Sequence, residues 1–171
     1  MKTLVALVFT LCAAPTFAQG TGPTPLEDEF LDRLVGTWVV AGTTHGLSLP
    51  AHSMQIDWVL NHQFVRIDQR TAENRPGWNI PYEALHFIGY DRARTRYVLH
   101  ALTVAGANGP PTAYGSRQDD VLKFEAGDDQ RRVDMQLIWR AESGTWRFVW
   151  GSQAEGGEWQ AVTDLVLTRA R

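Results

Sequence analysis

From Gly36 onward the chain is dominated by alternation of apolar and polar positions with a period of two. His52, Met54, Ile56, Trp58 and Leu60 share one face against Ser53, Gln55, Asp57 and Asn61. Successive side chains of a strand point to opposite faces, so Trp58 is expected to point inward. Val133, Met135, Leu137 and Trp139 alternate with Arg132, Asp134, Gln136 and Arg140 in the same way, and Trp146, Phe148 and Trp150 form a further apolar face. Runs rich in Val, Ile, Thr, Trp and Tyr predict about ten strands over Gly36–Thr44, His52–Asn61, Gln63–Thr71, Tyr82–Tyr90, Arg96–Val104, Pro111–Arg117, Val121–Glu125, Arg131–Arg140, Thr145–Ser152 and Glu158–Thr168. So many antiparallel strands at short spacing must close on themselves or leave edges exposed. The expected fold is therefore all-β: a single antiparallel up-and-down barrel, with a two-sheet sandwich as the alternative.

Only one helix is predicted. Leu26, Phe30, Leu31 and Leu34 recur at helical spacing, with acids early, where the helix dipole favours them, and Gly36 as a stop. Trp38 then offers a large apolar surface at the entry of the first strand, suited to closing the barrel floor, with the helix near that end. Successive connections of an up-and-down barrel alternate between its two ends. The odd ones here are long: Thr44–Ala51, Ala72–Pro81, Ala105–Pro110, Ala126–Gln130 and Gln153–Gly157. They should gather at one rim, the mouth. Leu47, Leu49, Pro50 and Trp78 in the first two of them suggest an apolar lid.

Asn61-His62 reads as a two-residue turn that sends Val65 and Ile67 inward and leaves Arg66, Asp68 and Arg70 outside. A four-residue loop from Asp91 to Arg94 pairs Tyr90 with Thr95. That groups Tyr82, Ala84, His86 and Ile88 with Tyr97, Leu99 and Thr103, against Glu83, Leu85, Phe87, Arg96, Val98 and His100. Either face suits the lumen, and each brings one histidine.

Residues 1–18 have a basic start at Lys2, an apolar run from Leu4 to Ala14 and small residues at Thr16 and Ala18, the pattern of a cleavable signal peptide. A flexible Gly/Thr/Pro linker over 19–25 and the barrel domain over 26–171 follow. Leu11 stands before Cys12 where a lipoprotein signal wants a small residue, so a released periplasmic or secreted protein is expected rather than a lipid-anchored one. Cys12, the single cysteine, leaves with the signal. Disulfides, thiolate metal sites and cysteine nucleophiles leave with it. About 150 residues remain, enough for one core. With 16 Lys and Arg against 19 Asp and Glu, and no basic stripe, nucleic acid is not expected as a partner, and neither is stable membrane insertion. Lys123 shares a polar face with Glu125, opposite Leu122 and Phe124, and reads as solvated. Oligomeric state is left open.

Leu34-Val35-Gly36-Thr37-Trp38, Phe87-Ile88-Gly89-Tyr90-Asp91 before Tyr97, and Gly157-Glu158-Trp159-Gln160 with the final strand resemble a bacterial domain family of unknown function. Its calycin-like barrel is related in shape to lipocalins and nitrobindin-type haem proteins. The resemblance covers most of the expected mature chain and implies the barrel but no activity. Nitrobindin-like relatives hold haem through a histidine near the C-terminal end of the barrel. Here the last histidine is His100, so the resemblance carries neither haem nor any other cofactor.

Glu83-Ala84-Leu85-His86 has metal-pair spacing for a helix, but on a strand these two side chains point apart, and no metal site is assigned. His45 and His52 flank the first long connection and read as solvent-exposed. No nucleophile elbow, phosphate-cradling loop or dinucleotide fingerprint occurs. The expected function is an exported barrel binding a small apolar or amphipathic molecule through Trp38, Leu47, Leu49, Trp58, Trp78, Tyr82, His86, Tyr97, Trp139 and Trp150. One alternative is a cofactor-free isomerase, cyclase or lyase with His86 or His100 transferring the proton. Another is a structural or partner-binding module with a filled barrel.

Overall fold

Residues 22–74, 79–106, 109–127, 131–154 and 157–171 are described by a computed structural model. The expected signal segment, part of the linker and Trp78 lie outside the described residues.

The fold starts at Asp28, whose carboxylate accepts from the backbone N–H groups of Phe30 and Leu31 at 3.0 and 3.1 Å. It thereby satisfies two of the donors that any helix start leaves unpaired. Helix α1 then runs over Glu29–Leu34. It is shorter than expected because Leu26 lies ahead of the cap, with its N–H bonded to the His62 carbonyl at 2.9 Å.

Ten strands follow: β1 (Gly36–Thr44), β2 (Leu47–Val59), β3 (Phe64–Asn74), β4 (Pro81–Asp91), β5 (Arg96–Thr103), β6 (Ala113–Gln118), β7 (Val121–Gly127), β8 (Arg131–Arg140), β9 (Thr145–Ala154) and β10 (Gln160–Arg169). Each pairs antiparallel with its neighbours in sequence, and β10 pairs with β1 from Trp38↔Arg169 to Thr44↔Thr163. The sheet is a closed up-and-down barrel, so the two-sheet alternative does not hold.

Three local expectations are corrected. The first connection is no loop: His45 and Gly46 (φ 49 and 72) form a tight hairpin turn, and β2 begins at Leu47. Pro50 had suggested a loop. It is accommodated in β2 beside a register irregularity between Val40↔His52 and Gly42↔Leu49, the kind of place where a missing N–H is tolerated. The second turn spans Leu60 to Gln63, with Leu60, Asn61 and His62 all left-handed. Tyr90 faces Tyr97 rather than Thr95. That slip of two residues keeps every side chain on its expected face.

The end carrying α1 is packed solid. Phe30, Leu31 and Leu34 are buried with Trp38, Trp146, Phe124, Leu122, Leu137, Ile56, Ile88, Leu165 and Leu167. The short helix has carbonyls at its C-terminus with no intrahelical partner. The Trp38 indole N–H donates to the Leu34 carbonyl at 2.7 Å and that of Trp146, more weakly, to the Arg33 carbonyl at 3.4 Å. Arg169 donates to the carbonyls of Val35 and Arg33, both at 3.2 Å, and its guanidinium lies 4.4 Å from the Trp38 ring centroid. Trp58 reaches the same helix, donating to the Asp32 carboxylate at 2.8 Å. Indoles from three strands thus hold α1 as the barrel's stopper.

Candidate functional site

At the other end the inward positions change character. On β10, β1, β2, β3 and β4, which lie side by side, the inward series run from apolar to polar. Trp38 and Val40 lead to Thr44, Met54 leads back to His52, Ile67 leads to Gln69 and Thr71, and Leu165 leads back to Thr163. These polar side chains are buried and largely bonded to one another. The Thr44 and Thr163 hydroxyls are 2.9 Å apart. His52 Nδ1 lies 3.0 Å from the Pro50 carbonyl, which can only accept, so Nδ1 carries the proton. His52 Nε2 then accepts from the Gln69 amide at 3.0 Å. His52 was expected to be exposed; the face it shares with Met54 and Ile56 turns it inward, while His45 in the turn is exposed.

The facing wall is different. Leu99, Ala101, Ala113, Ala126, Val133 and Met135 from β5 to β8, with Pro110 and Pro111, line a small apolar chamber. The polar side is a second small chamber, lined by Thr44, Leu49, Gln69, Thr71, Tyr82, Thr163 and Leu165. Three inward alanines leave the apolar chamber open, whereas deeper along β5 and β7 the inward positions carry Leu99, Phe124 and Leu122, which are buried and fill the interior.

His86, Phe148 and Trp150 line both chambers. His86 on β4 and Phe148 on β9 come from strands diametrically opposed in the barrel order. Their rings meet nearly parallel, at an interplanar angle of 10° and a centroid separation of 6.2 Å. They form a partition across the lumen. Burial pushes the His86 imidazole down from 6.5 to about 4, because no described residue lining either chamber is a carboxylate, lysine or arginine to offset the loss of solvent. His86 is therefore neutral near pH 7, and neither ring nitrogen has a protein hydrogen-bond partner among the described residues. The buried indole N–H of Trp150 also has no partner among them.

Of the candidate residues, Leu49, Tyr82, His86 and Trp150 are brought together here. Trp38, Trp58 and Trp139 are not: they sit at the stoppered end, where Trp139 packs on Trp146 with centroids 5.1 Å apart. Tyr97 also belongs there, its hydroxyl donating to the Asp28 carboxylate at 2.5 Å. Burial, and secondarily this bond, raises the Tyr97 phenol well above its ordinary pKa. Leu47 is about half exposed on β2 and lines neither chamber. His100 is exposed on the outer face, opposite Phe87 in the register, with Nδ1 3.2 Å from the Thr112 hydroxyl. It does not reach the lumen. Glu83 is likewise exposed while His86, three residues on, is buried. Gln69, Thr71, Thr163 and Phe148 were not anticipated. Their signal was present, since Gln69 and Thr71 continue the inward series of Val65 and Ile67 and Thr163 that of Leu165 and Leu167.

No protein-family model matches the chain, and no curated protein matches it with significance.

Proposed function

We propose that this protein is an exported binding protein that holds a small apolar or amphipathic molecule in the half of the barrel away from α1. The observation that carries this reading is a two-sided lumen, polar along β10 to β4 and apolar along β5 to β8, whose shared wall has hydrogen-bonding groups without partners among the described residues. A site of that kind buries apolar surface and uses a few polar groups to orient the ligand. The free space is small in both chambers, about 40 Å³ on the polar side and about 30 Å³ on the apolar side, which favours a compact ligand. The segment expected to direct export lies outside the described residues, and export remains part of the proposal.

A proton-transfer enzyme built on His86 is the second reading, supported by the position of that imidazole in the lumen. It ranks lower because a base with a pKa of about 4 is poorly matched to proton abstraction near neutral pH. The deciding experiment is native mass spectrometry of the purified protein after soaking in cell extract. A retained small molecule, lost when Ala113→Trp fills the apolar chamber, is the expected result. No retained mass would overturn the binding reading in favour of a structural or partner-binding module.

A further inference from the structure

The lumen contains enough chemistry to say what kind of molecule it accepts, given the binding reading on which this inference rests. Three groups of the lumen lack hydrogen-bond partners among the described residues, two of them, on Trp150 and His86, where the chambers meet and one, on Gln69, in the polar chamber. The Trp150 N–H can only donate, and it is buried. The second polar atom of Gln69, its carbonyl oxygen, can only accept, because its amide nitrogen is committed to His52. Neutral His86 offers one donor and one acceptor. Beyond them, the apolar chamber presents alanine, leucine, methionine and proline surface.

A charged ligand would fit this environment badly. A buried carboxylate or ammonium needs an opposite charge or several hydrogen bonds in compensation, and the described lining residues include no formal countercharge. A pure hydrocarbon would leave the Trp150 N–H without an acceptor, and an unmade buried hydrogen bond is costly.

We propose that the barrel selects an uncharged amphiphile, with its apolar body against β5 to β8 and a hydroxyl, carbonyl or amide oxygen accepting from the Trp150 N–H beside His86. Trp150 and His86 orient the head group, and the missing countercharge rejects the corresponding acids and amines.

The test uses matched eight-carbon probes, octanol, octanone, octanoate and octylamine, titrated calorimetrically into the full-length mature protein at neutral pH. Octanol and octanone should bind roughly tenfold or more tightly than octanoate and protonated octylamine, since only the latter pair must bury a charge. Trp150→Phe keeps the ring and removes the donor, and should weaken octanone about 5- to 10-fold with the near-ultraviolet circular dichroism otherwise retained. Octanoate or octylamine binding as tightly as octanol would overturn the charge selection, using the unmodified protein alone. Unchanged octanone affinity in Trp150→Phe would overturn the assigned acceptor site. A charged molecule recovered from extract-soaked protein would overturn this inference and leave the binding reading intact. If none of the probes binds and nothing is retained from extract, both fall together.

Discussion

His86 concentrates the physics of the site in one side chain. Its imidazole is held at about 4 in the folded chain against 6.5 for the ordinary group, because burial penalises its charged form. Between those two values the unfolded chain binds a proton that the folded chain does not. Stability from this residue is therefore fully present above about pH 6.5 and is lost as the pH falls towards 4. The displacement corresponds to roughly 3 kcal/mol. Urea midpoints measured at neutral pH and near pH 4.5 should fall steeply for the native chain and less steeply for His86→Gln, which has nothing to protonate there. Carboxylates such as Asp164, lowered by its hydrogen bond to Arg147, add acid sensitivity of their own. The comparison of the two slopes isolates the histidine, and equal slopes would refute its desolvation.

At the scale of elements, α1 is too short to be stable alone and is kept by its ends. Asp28 serves both as N-cap and as acceptor for the Tyr97 hydroxyl. Asp28→Ala removes the cap and leaves a buried phenol unpaired, for a loss of about 2–4 kcal/mol in denaturant unfolding. Asp28→Asn keeps the cap and should lose only about 1 kcal/mol. If both variants were as stable as the parent, the helix would not be what closes this end. The β1–β2 hairpin offers the opposite sign. His45 is exposed and left-handed at φ 49, a conformation that asparagine adopts far more readily. His45→Asn should stabilise the protein by about 0.5–1 kcal/mol, visible as a rise of a few degrees in Tm.

For the whole molecule, stability depends on closure. Gly42 sits at φ +155, where a Cβ would run into the backbone of Asp164 on β10. Backbone cannot swing aside as a flexible side chain does. Gly42→Ala should therefore cost at least about 1–3 kcal/mol and loosen the β1–β10 seam, which amide hydrogen exchange at Val40 and Leu167 would report. Removing β10 altogether, by ending the chain before Gln160, turns β1 and β9 into open edges. That truncated protein is expected to associate, detected by light scattering, whereas the closed barrel offers no edge to pair.

Alternation along the sequence was sufficient to identify the ten strands, the inward face of most of them and the sense of the chain. A strand's side-chain period depends on nothing outside the strand, and even the two-residue slip at Tyr90 left each face unchanged. The same local rule is silent about depth along the barrel. Trp38, Trp58, Tyr97 and Trp139 have the inward or ambiguous pattern of lumen residues, yet the first three are spent on anchoring α1 and its cap, and Trp139 packs beside them on Trp146, because the helix folds back onto that end. This is a contact between segments far apart in sequence, as in the pairing of Trp146 with Phe30. On β4 and β5, where both faces carry apolar residues and a histidine, only the curvature of the closed sheet decides that His86 lies inside and His100 outside. The partition formed by His86 and Phe148 was equally unreadable, since two strands half a circumference apart become neighbours only when the barrel closes.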